Sequence, residues 1–470
     1  MDVNGELGIA DVLPVMMMQQ EASPASPVNI DETPHHTLER IFGKCDAKYI
    51  QSEDGSNLLD RFKPLEDWLG DRLAFGLDPY AKATEGPIVA ETVAYDRAGR
   101  RFQGVNFASQ DYLSLASHPA IKRTAIEAIE RVGVHSAGSA ALMGLTTTTL
   151  ELERALAAWL GYRDATVFPI AWAAGYGVIR TLVRANDHIV LDQLSHACLV
   201  EGARAATSNV HIYRHLSVEG IRRRLSRIRA KESETGILVV TESLFSMDSD
   251  SPDMNAILEV CREFGAQLLI DCAHDLGSSC DNGFGFMGQQ GVLGKADVVI
   301  GSFSKSFASN GGFIATNHLA LKLALRLSCG PQTFTNAISP LQSAVVLKAI
   351  QIIRSQEGSA RREQLHGNIV YLRECLSAIG FEALGQPSPI VSIVLGNIAR
   401  SRLITRFTLE SGALVNLVEY PAVAVNACRL RLQVMADHTR EHIDRLVSIL
   451  AAATQRTDEM LAGMNEFVNE

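Results

Sequence analysis

At 470 residues, with 47% hydrophobic and 20% charged side chains, the chain has the composition of a globular protein long enough for one large domain and a smaller companion. A formal net charge of −10 at pH 7 argues against a nucleic-acid or anionic-membrane surface, since either needs a basic stripe; the densest basic cluster, Arg222, Arg223, Arg224 and Arg227, reads as the solvated face of a helix. Eight scattered cysteines with no C-x-x-C pair support neither a zinc ribbon nor a secreted disulfide framework, and fit a reducing, cytoplasmic setting.

Taken in chain order, residues 1 to about 60 carry Pro, Ser and charge without periodicity ("EASPASPVNIDETPHH") and predict a flexible or loosely docked extension. Its apolar run "VLPVMMM" is too short for a membrane span and lacks the basic flank of a signal peptide, so no integral membrane segment is expected. A helix over "NLLDRFKPLEDWLGDRLAF" opens a helical and strand segment, 61–105. From 106 to about 330, the short apolar runs "ATVFPIA", "HIVLDQ", "GILVVTE", "QLLIDCAH", "DVVIGSF" and "GGFIATN" alternate with helix-like stretches such as "DMNAILEVCREFGA". Near-continuous apolar strands alternating with helices predict an α/β domain with a largely parallel sheet covered on both faces. Beyond 331, one long helical stretch starting at "SPLQSAVV" leads into "SPIVSIVLG", "LVNLVEY", "CRLRLQVMA" and a last helix, the outline of a smaller C-terminal α+β domain. No internal repeat is visible.

Ligands of a doubly wound sheet collect at the carboxyl ends of its strands. Four predicted strands end in reactive pairs: Asp192/His196, Glu242/Ser246, Asp271/His274 and Ser302/Lys305. Singly, each has an ordinary explanation: a strand-end Asp is usually a cap or turn residue, and a loop lysine is usually solvated. Jointly they meet the needs of pyridoxal phosphate. Its aldehyde needs an amine (Lys305), its ring nitrogen a carboxylate (Asp271), and its phosphate hydroxyls and backbone N–H groups (Ser302). The imidazole of His196 is suited to cover the ring, while His274 and Ser246 can donate to the phenolic oxygen.

Here the chain resembles the α-oxoamine synthases of the fold-type I pyridoxal-phosphate enzymes, from about residue 100 to about 455. The motifs that carry the resemblance are "NFASQDYLSLASHP", "LDQLSHACLVEGAR", "TESLFSMDSD", "IDCAHDLG", "GSFSKSFASNGGF", "QTFTNAISP" and "CRLRLQVMADHT". The resemblance implies a fold-type I transferase with a large, mostly parallel-sheet domain. It also implies decarboxylative condensation of a small amino acid (serine, glycine or alanine) with an acyl thioester, on coenzyme A or an acyl carrier protein, to give an α-amino ketone. Lys305, His196, Asp271 and His274 become catalytic; Glu242, Ser246, Ser302, Ala171, Trp172 and Thr335 join them around the cofactor, Thr335 from a neighbouring subunit of a homodimer. Arg431, with His196, Gln110 and Asp111, falls at the amino-acid substrate, and no metal is implied. Departures from the family pattern at Ala140, Thr149 and Trp172, and the Gln110–Asp111 pair, leave the choice of amino acid and acyl donor open. An aminotransferase, an aldolase or a non-catalytic partner subunit of a synthase are the alternative readings.

Overall fold

This computed structural model describes residues 41–43 and 55–463. A helix over Lys63–Ala74 is followed by a meander of three strands, β1 (Ala83–Glu85), β2 (Glu91–Tyr95) and β3 (Arg101–Asn106). The helices Pro119–Val132 and Thr147–Leu160 then lead into β4 (Asp164–Phe168). From there strand and helix alternate: β5 (His188–Asp192), β6 (Val210–Tyr213), β7 (Ile237–Glu242), β8 (Gln267–Asp271), β9 (Val298–Ser302) and β10 (Gly312–Thr316). These form a seven-stranded sheet in the order β4-β10-β9-β8-β7-β5-β6.

Every residue of β5, β7 and β9 is buried because the strands alternate between two apolar layers. Val190, Val239, Ile270 and Val299 pack on one face, and Ile189, Leu238, Leu269 and Ile300 on the other. That double burial is why the sequence shows continuous apolar runs rather than alternation. Strands β6, β5, β7, β8 and β9 are parallel, whereas β10 runs antiparallel to both its neighbours. It follows β9 through a short loop with no crossover helix, so reversal is the natural pairing. The sequence reading missed β6, a short edge strand with little apolar character.

The long helical stretch divides into Pro340–Ile353 and Gln356–Ala378, the break falling where Ser355 caps the second helix by accepting from Gly358 N–H at 3.4 Å. Beyond it lie β11 (Ile390–Gly396), β12 (Ala413–Leu414), β13 (Leu417–Val418) and β14 (Cys428–Gln433). Strands β11, β14 and β13 make a three-stranded antiparallel sheet with β14 at its centre. Strand β12 instead pairs in parallel with β3, so the early meander and the C-terminal region share a sheet. Gly104 makes this possible: a Cβ there would sit 1.8 Å from the carbonyl oxygen of Gly412.

Most of the expected N-terminal extension lies outside the described residues. Ile41 does not behave as part of a loose tail: it is fully buried in the main core, and Arg402 donates to the carbonyls of Ile41 and Gly43. Among the described residues, no helix is long and apolar enough to cross a membrane.

Candidate active site

Parallel pairing brings the ends of β5, β7, β8 and β9 to one edge of the sheet, with Glu242 directly opposite Asp271 in register. A cavity of about 550 Å³ opens there, lined by His196, Glu242, Asp271, His274, Ser302 and Lys305 together with Ile170, Ala171 and Trp172. A larger polar cleft of about 950 Å³, between residues 278–289 and the helix Gln356–Ala378, contains none of the predicted site residues.

Each side chain is placed by local structure. Asp271 ends β8 and accepts from Ala273 N–H at 2.9 Å through one carboxylate oxygen. His196 is the N-cap of the helix Ala197–Ala206; its Nδ1 accepts from Cys198 N–H at 3.3 Å, and the Cys198 thiol lies 3.0 Å away. Its own backbone N–H donates to Glu242 at 2.6 Å. With Nδ1 accepting, a neutral imidazole carries its proton on Nε2. His274 Nδ1 lies 3.0 Å from the Tyr112 hydroxyl. Burial raises the Tyr112 pKa and drives that of His274 well below the ordinary histidine range, Lys305 and Arg431 adding to the second effect. A protonated phenol donating to Nδ1 of a neutral imidazole leaves Nε2–H as a free donor.

Charge is finely balanced around the lysine. Burial lowers the Lys305 pKa, with Asp271 pulling it back up and Arg431 adding to the fall. Burial likewise raises Asp271 and lifts Glu242 well above the carboxylate range, the two buried acids facing each other across paired strands.

At the other end of the cavity, Ser302 Oγ lies 2.7 Å from Ser304 Oγ and accepts from Ser304 N–H at 3.2 Å. The helix Ala171–Leu182 starts beside it with no side-chain cap, leaving its first N–H groups without that partner. Gly312 holds this helix start against β10, since a Cβ there would meet the Ala171 Cα at 2.5 Å. A buried carboxylate, a lysine of lowered pKa, an exposed imidazole and an uncapped helix start beside a hydroxyl together fit pyridoxal phosphate. Asp271 suits the ring nitrogen, Lys305 the aldehyde, His196 the ring face, His274 the phenolic oxygen, and Ser302 with the helix start the phosphate.

An adjoining cavity of about 440 Å³ is lined by Gln110, Asn106, Asn416 and Arg431. The two arginines of β14 differ sharply. Arg429 is engaged, ion-paired to Asp248 and donating to the carbonyls of Met247 at 3.3 Å and Ala427 at 3.2 Å. Arg431 has a buried Nε without a hydrogen-bond partner, and no ion pair among the described residues involves it.

Three predicted site residues lie elsewhere. Asp111 turns inward: its two oxygens accept from Leu115 N–H at 2.9 Å and Ala116 N–H at 3.0 Å, holding the turn before the helix Pro119–Val132. Burial lifts its pKa to about 6. Ser246 sits in the tight turn closed by Phe245 N–H to the Asp250 carbonyl and does not line the cavity. Thr335 is exposed and donates to the Pro331 carbonyl at 2.6 Å, outside this chain's own cavity. Of the departures from the family pattern, Thr149 is structural, bonded to Thr146 at 2.9 Å and Ser343 at 3.1 Å, and Ala140 is buried.

Tyr112 and Cys198 escaped the sequence reading, although both stand in motifs it singled out. So did His215, which bridges Asp192 at 2.8 Å and Asp250 at 3.1 Å. Those two bonds outweigh its burial and carry its pKa to about 10.

Residues 103–450 match the family of aminotransferases of class I and II, and the chain belongs to that family. The 8-amino-7-oxononanoate synthase of Geobacter metallireducens is 33% identical over 344 residues, covering 73% of this chain and 87% of that protein. The serine palmitoyltransferase of Sphingomonas wittichii superposes with a TM-score of 0.80 at 29% identity, covering 86% of this chain and 99% of that one. A serine palmitoyltransferase variant of S. paucimobilis, solved with a bound PLP–myriocin aldimine, superposes with a TM-score of 0.79 at 29% identity over the same shares. Within its family the chain is therefore an α-oxoamine synthase, a pyridoxal-phosphate-dependent acyltransferase of the fold-type I class.

Proposed function

We propose that the protein condenses a small amino acid (serine, glycine or alanine) with an acyl thioester, releasing CO2 and the thiol and leaving an α-amino ketone. The observation that carries this reading is Lys305 beside Asp271 in the first cavity with an uncommitted Arg431 next to it. An amine of lowered pKa, a carboxylate and a free guanidinium are the set needed to hold an amino acid and take a proton from it.

Pyridoxal phosphate, when bound, supplies an electron sink for the bonds broken at the amino acid's Cα. Asp271 keeps a proton on the ring nitrogen. Arg431 grips the α-carboxylate, bidentately where geometry allows. Lys305, held toward its neutral form by burial, removes the Cα proton. His196 presents Nε2–H to the substrate carboxylate or the thioester carbonyl, and His274 presents Nε2–H to the phenolic oxygen. A bond forms from Cα to the acyl carbon as the thiolate leaves; the carboxylate departs as CO2 and a proton returns to Cα.

The reading includes a homodimer with shared active sites, Thr335 reaching the partner's phosphate end. Its support is the exposure of Thr335 and of its apolar neighbour Phe334, which is 87% exposed.

The test is a matrix of small amino acids against coenzyme A and carrier-protein thioesters of several lengths, read by thiol release and product mass. Thiol release that depends on the amino acid, and that Lys305→Ala abolishes, is expected. Amino-group transfer to a keto acid without thiol release would point to an aminotransferase instead.

A further inference from the structure

Asp192 ends β5 as Asp271 ends β8, yet it does not line the cofactor cavity. Its side chain is fully buried. One carboxylate oxygen accepts from Leu194 N–H at 2.9 Å and lies 2.8 Å from His215 Nδ1; the other accepts from Leu216 N–H at 3.0 Å. The Asp192 carbonyl accepts from Ser195 N–H at 3.2 Å. Asp192 therefore shapes the turn that ends in His196.

His215 stands just beyond β6 and places its second nitrogen, Nε2, 3.1 Å from both carboxylate oxygens of Asp250. A ring nitrogen at hydrogen-bond distance from a carboxylate carries a proton; both nitrogens do so here, and the imidazole is a cation. Its pKa of about 10 agrees. The Phe245 ring meets it edge-on, with centroids 4.5 Å apart. Asp248, the other acid close by, is ion-paired to Arg429.

Asp250 belongs to the turn after β7, and its two neighbours reach the C-terminal sheet. Asp248 holds Arg429 of β14, while Ser249 Oγ lies 2.6 Å from Ser388 Oγ and 2.8 Å from the Ile390 carbonyl oxygen at the start of β11. Arg431 lies in β14 opposite Ser392 of β11. Each turn joined by His215 contains a non-glycine residue in the left-handed region, Leu216 at φ 58° and Ser249 at φ 60°. A residue with a side chain keeps that conformation where its surroundings impose it. Here the Asp192 carboxylate fixes Leu216, and the contacts to Ser388 and Ile390 fix Ser249.

We propose that His215 is a positioning residue of the active site: shared between Asp192 and Asp250, its imidazolium holds the turn ending in His196 against the turn that anchors β14. It thereby fixes the spacing between the imidazole over the cofactor ring and Arg431. Without it, Asp192 becomes a buried charge lacking its cation, and the Asp250 turn answers to the C-terminal sheet alone. The amino acid meets both His196 and Arg431, so the loss falls on its binding more than on that of the cofactor. This inference rests on the roles given to His196 and Arg431 in the proposed condensation.

The holoenzyme is prepared as wild type, His215→Gln, Asp250→Asn and the double variant. Visible circular dichroism of the bound cofactor is recorded, and each protein is titrated with serine, glycine and alanine, followed by cofactor absorbance. His215→Gln should raise the amino-acid half-saturation concentration by about tenfold or more and alter the cofactor's dichroism, with pyridoxal phosphate affinity unchanged. Asp250→Asn should act in the same direction, and the double variant should be no worse than His215→Gln, because both residues act through one bridge. Half-saturation unchanged in His215→Gln, or single losses that add in full in the double variant, overturns the inference. So does a parallel loss of cofactor affinity, the mark of a merely structural residue. If His215→Gln does not fold, Asp250→Asn decides: weakened amino-acid binding with cofactor affinity intact supports the bridge, and unchanged binding overturns it. If wild type responds to none of the three amino acids, the proposed condensation fails instead, and the dichroism decides. A band altered alike in His215→Gln and the double variant then supports the bridge; an unaltered band overturns it.

Discussion

Arg429 and Arg431 stand two positions apart in one strand, and alternation places both on the same face. Their partners separate them: Arg429 is held by Asp248 and two carbonyls, whereas Arg431 has an unsatisfied buried nitrogen. Arg431→Ala is therefore expected to cost about 2–5 kcal/mol of substrate or transition-state binding while leaving the cofactor's absorbance near that of wild type. Amino-acid titration of the spectrum checks this, with the amino-acid KM rising far more than the thioester KM. Arg429→Ala should instead loosen the turn carrying Asp248, with a smaller effect on KM; the reverse pattern would exchange the two roles. Lys305 yields a pH prediction. Burial favours its neutral form, so the cofactor-free protein should capture pyridoxal phosphate with a midpoint below the ordinary lysine value of 10.5. Because Asp271 raises the lysine's pKa, Asp271→Asn should move the midpoint further down. The pH dependence of the capture rate, followed by absorbance, decides it, and a midpoint at or above 10.5 in wild type would refute it. The reactive residues could be read in the sequence because each closes an apolar run or follows its end within four residues. Tyr112 could not, because its partner His274 is 162 positions away and nothing in "QDYLSL" marks the tyrosine as anything but core.

Two buried arrangements tie whole elements together. Arg72 on the first helix and Arg402 on the helix Ile398–Glu410 both bind Glu419, at 3.0 and 2.8 Å, and Tyr80 adds a hydrogen bond at 3.1 Å. Both arginines are essentially inaccessible, and the two of them hold the Glu419 carboxyl below its usual range against the effect of burial. Removing one partner of such a cluster leaves an uncompensated buried charge. Glu419→Gln is expected to lower stability by about 3–5 kcal/mol, measured by denaturant unfolding of the full chain. A loss below about 1 kcal/mol would mean that the cluster is not stabilising as a unit. The second arrangement is His438, stacked on Phe107 with ring centroids 4.0 Å apart, its Nε2 3.0 Å from the Asn106 carbonyl and its Nδ1 accepting from Met435 N–H at 3.1 Å. Burial depresses its pKa from 6.5 to about 3. The unfolded chain therefore binds a proton that the fold refuses between those values, so this contribution to stability is complete above about pH 6.5 and is lost as pH falls toward about 3. The slope from this residue is at most about 1.4 kcal/mol per pH unit. Comparing His438→Gln with wild type between those pH values should remove that component; an unchanged slope would show that His438 does not titrate on unfolding.

At the scale of the molecule, two segments singled out in the sequence lie side by side. Ala337 N–H donates to the Gly138 carbonyl at 2.9 Å, Ser136 Oγ donates to the Ala337 carbonyl at 2.7 Å, and Ser139 bridges Asn336. Leu142, Met143 and Phe334 stand on this apron 83, 92 and 87% exposed, more apolar surface than scattered surface residues explain. A second copy of the chain, related by a two-fold axis, is its proposed cover. Mixing the inactive Lys305→Ala protein with a Thr335 variant inactivated at its phosphate contact should restore activity, through hybrid dimers with one intact site. No recovery, with both proteins folded and exchanging subunits, would remove Thr335 from the shared site.

The sequence by itself determined the doubly covered sheet and the strand-end placement of Asp271, Glu242 and Ser302, with Lys305 in the turn just beyond. Burial on two faces leaves a continuous apolar run, and a polar residue that ends such a run has one edge to occupy. Only the tertiary structure decided the rest: that Asp111 and Ser246 serve turns, that Arg431 rather than Arg429 is free, and that residues 41–43 are docked on Arg402. These depend on pairings across long stretches of chain. Local periodicity records whether a residue is buried, but not which distant group it meets there.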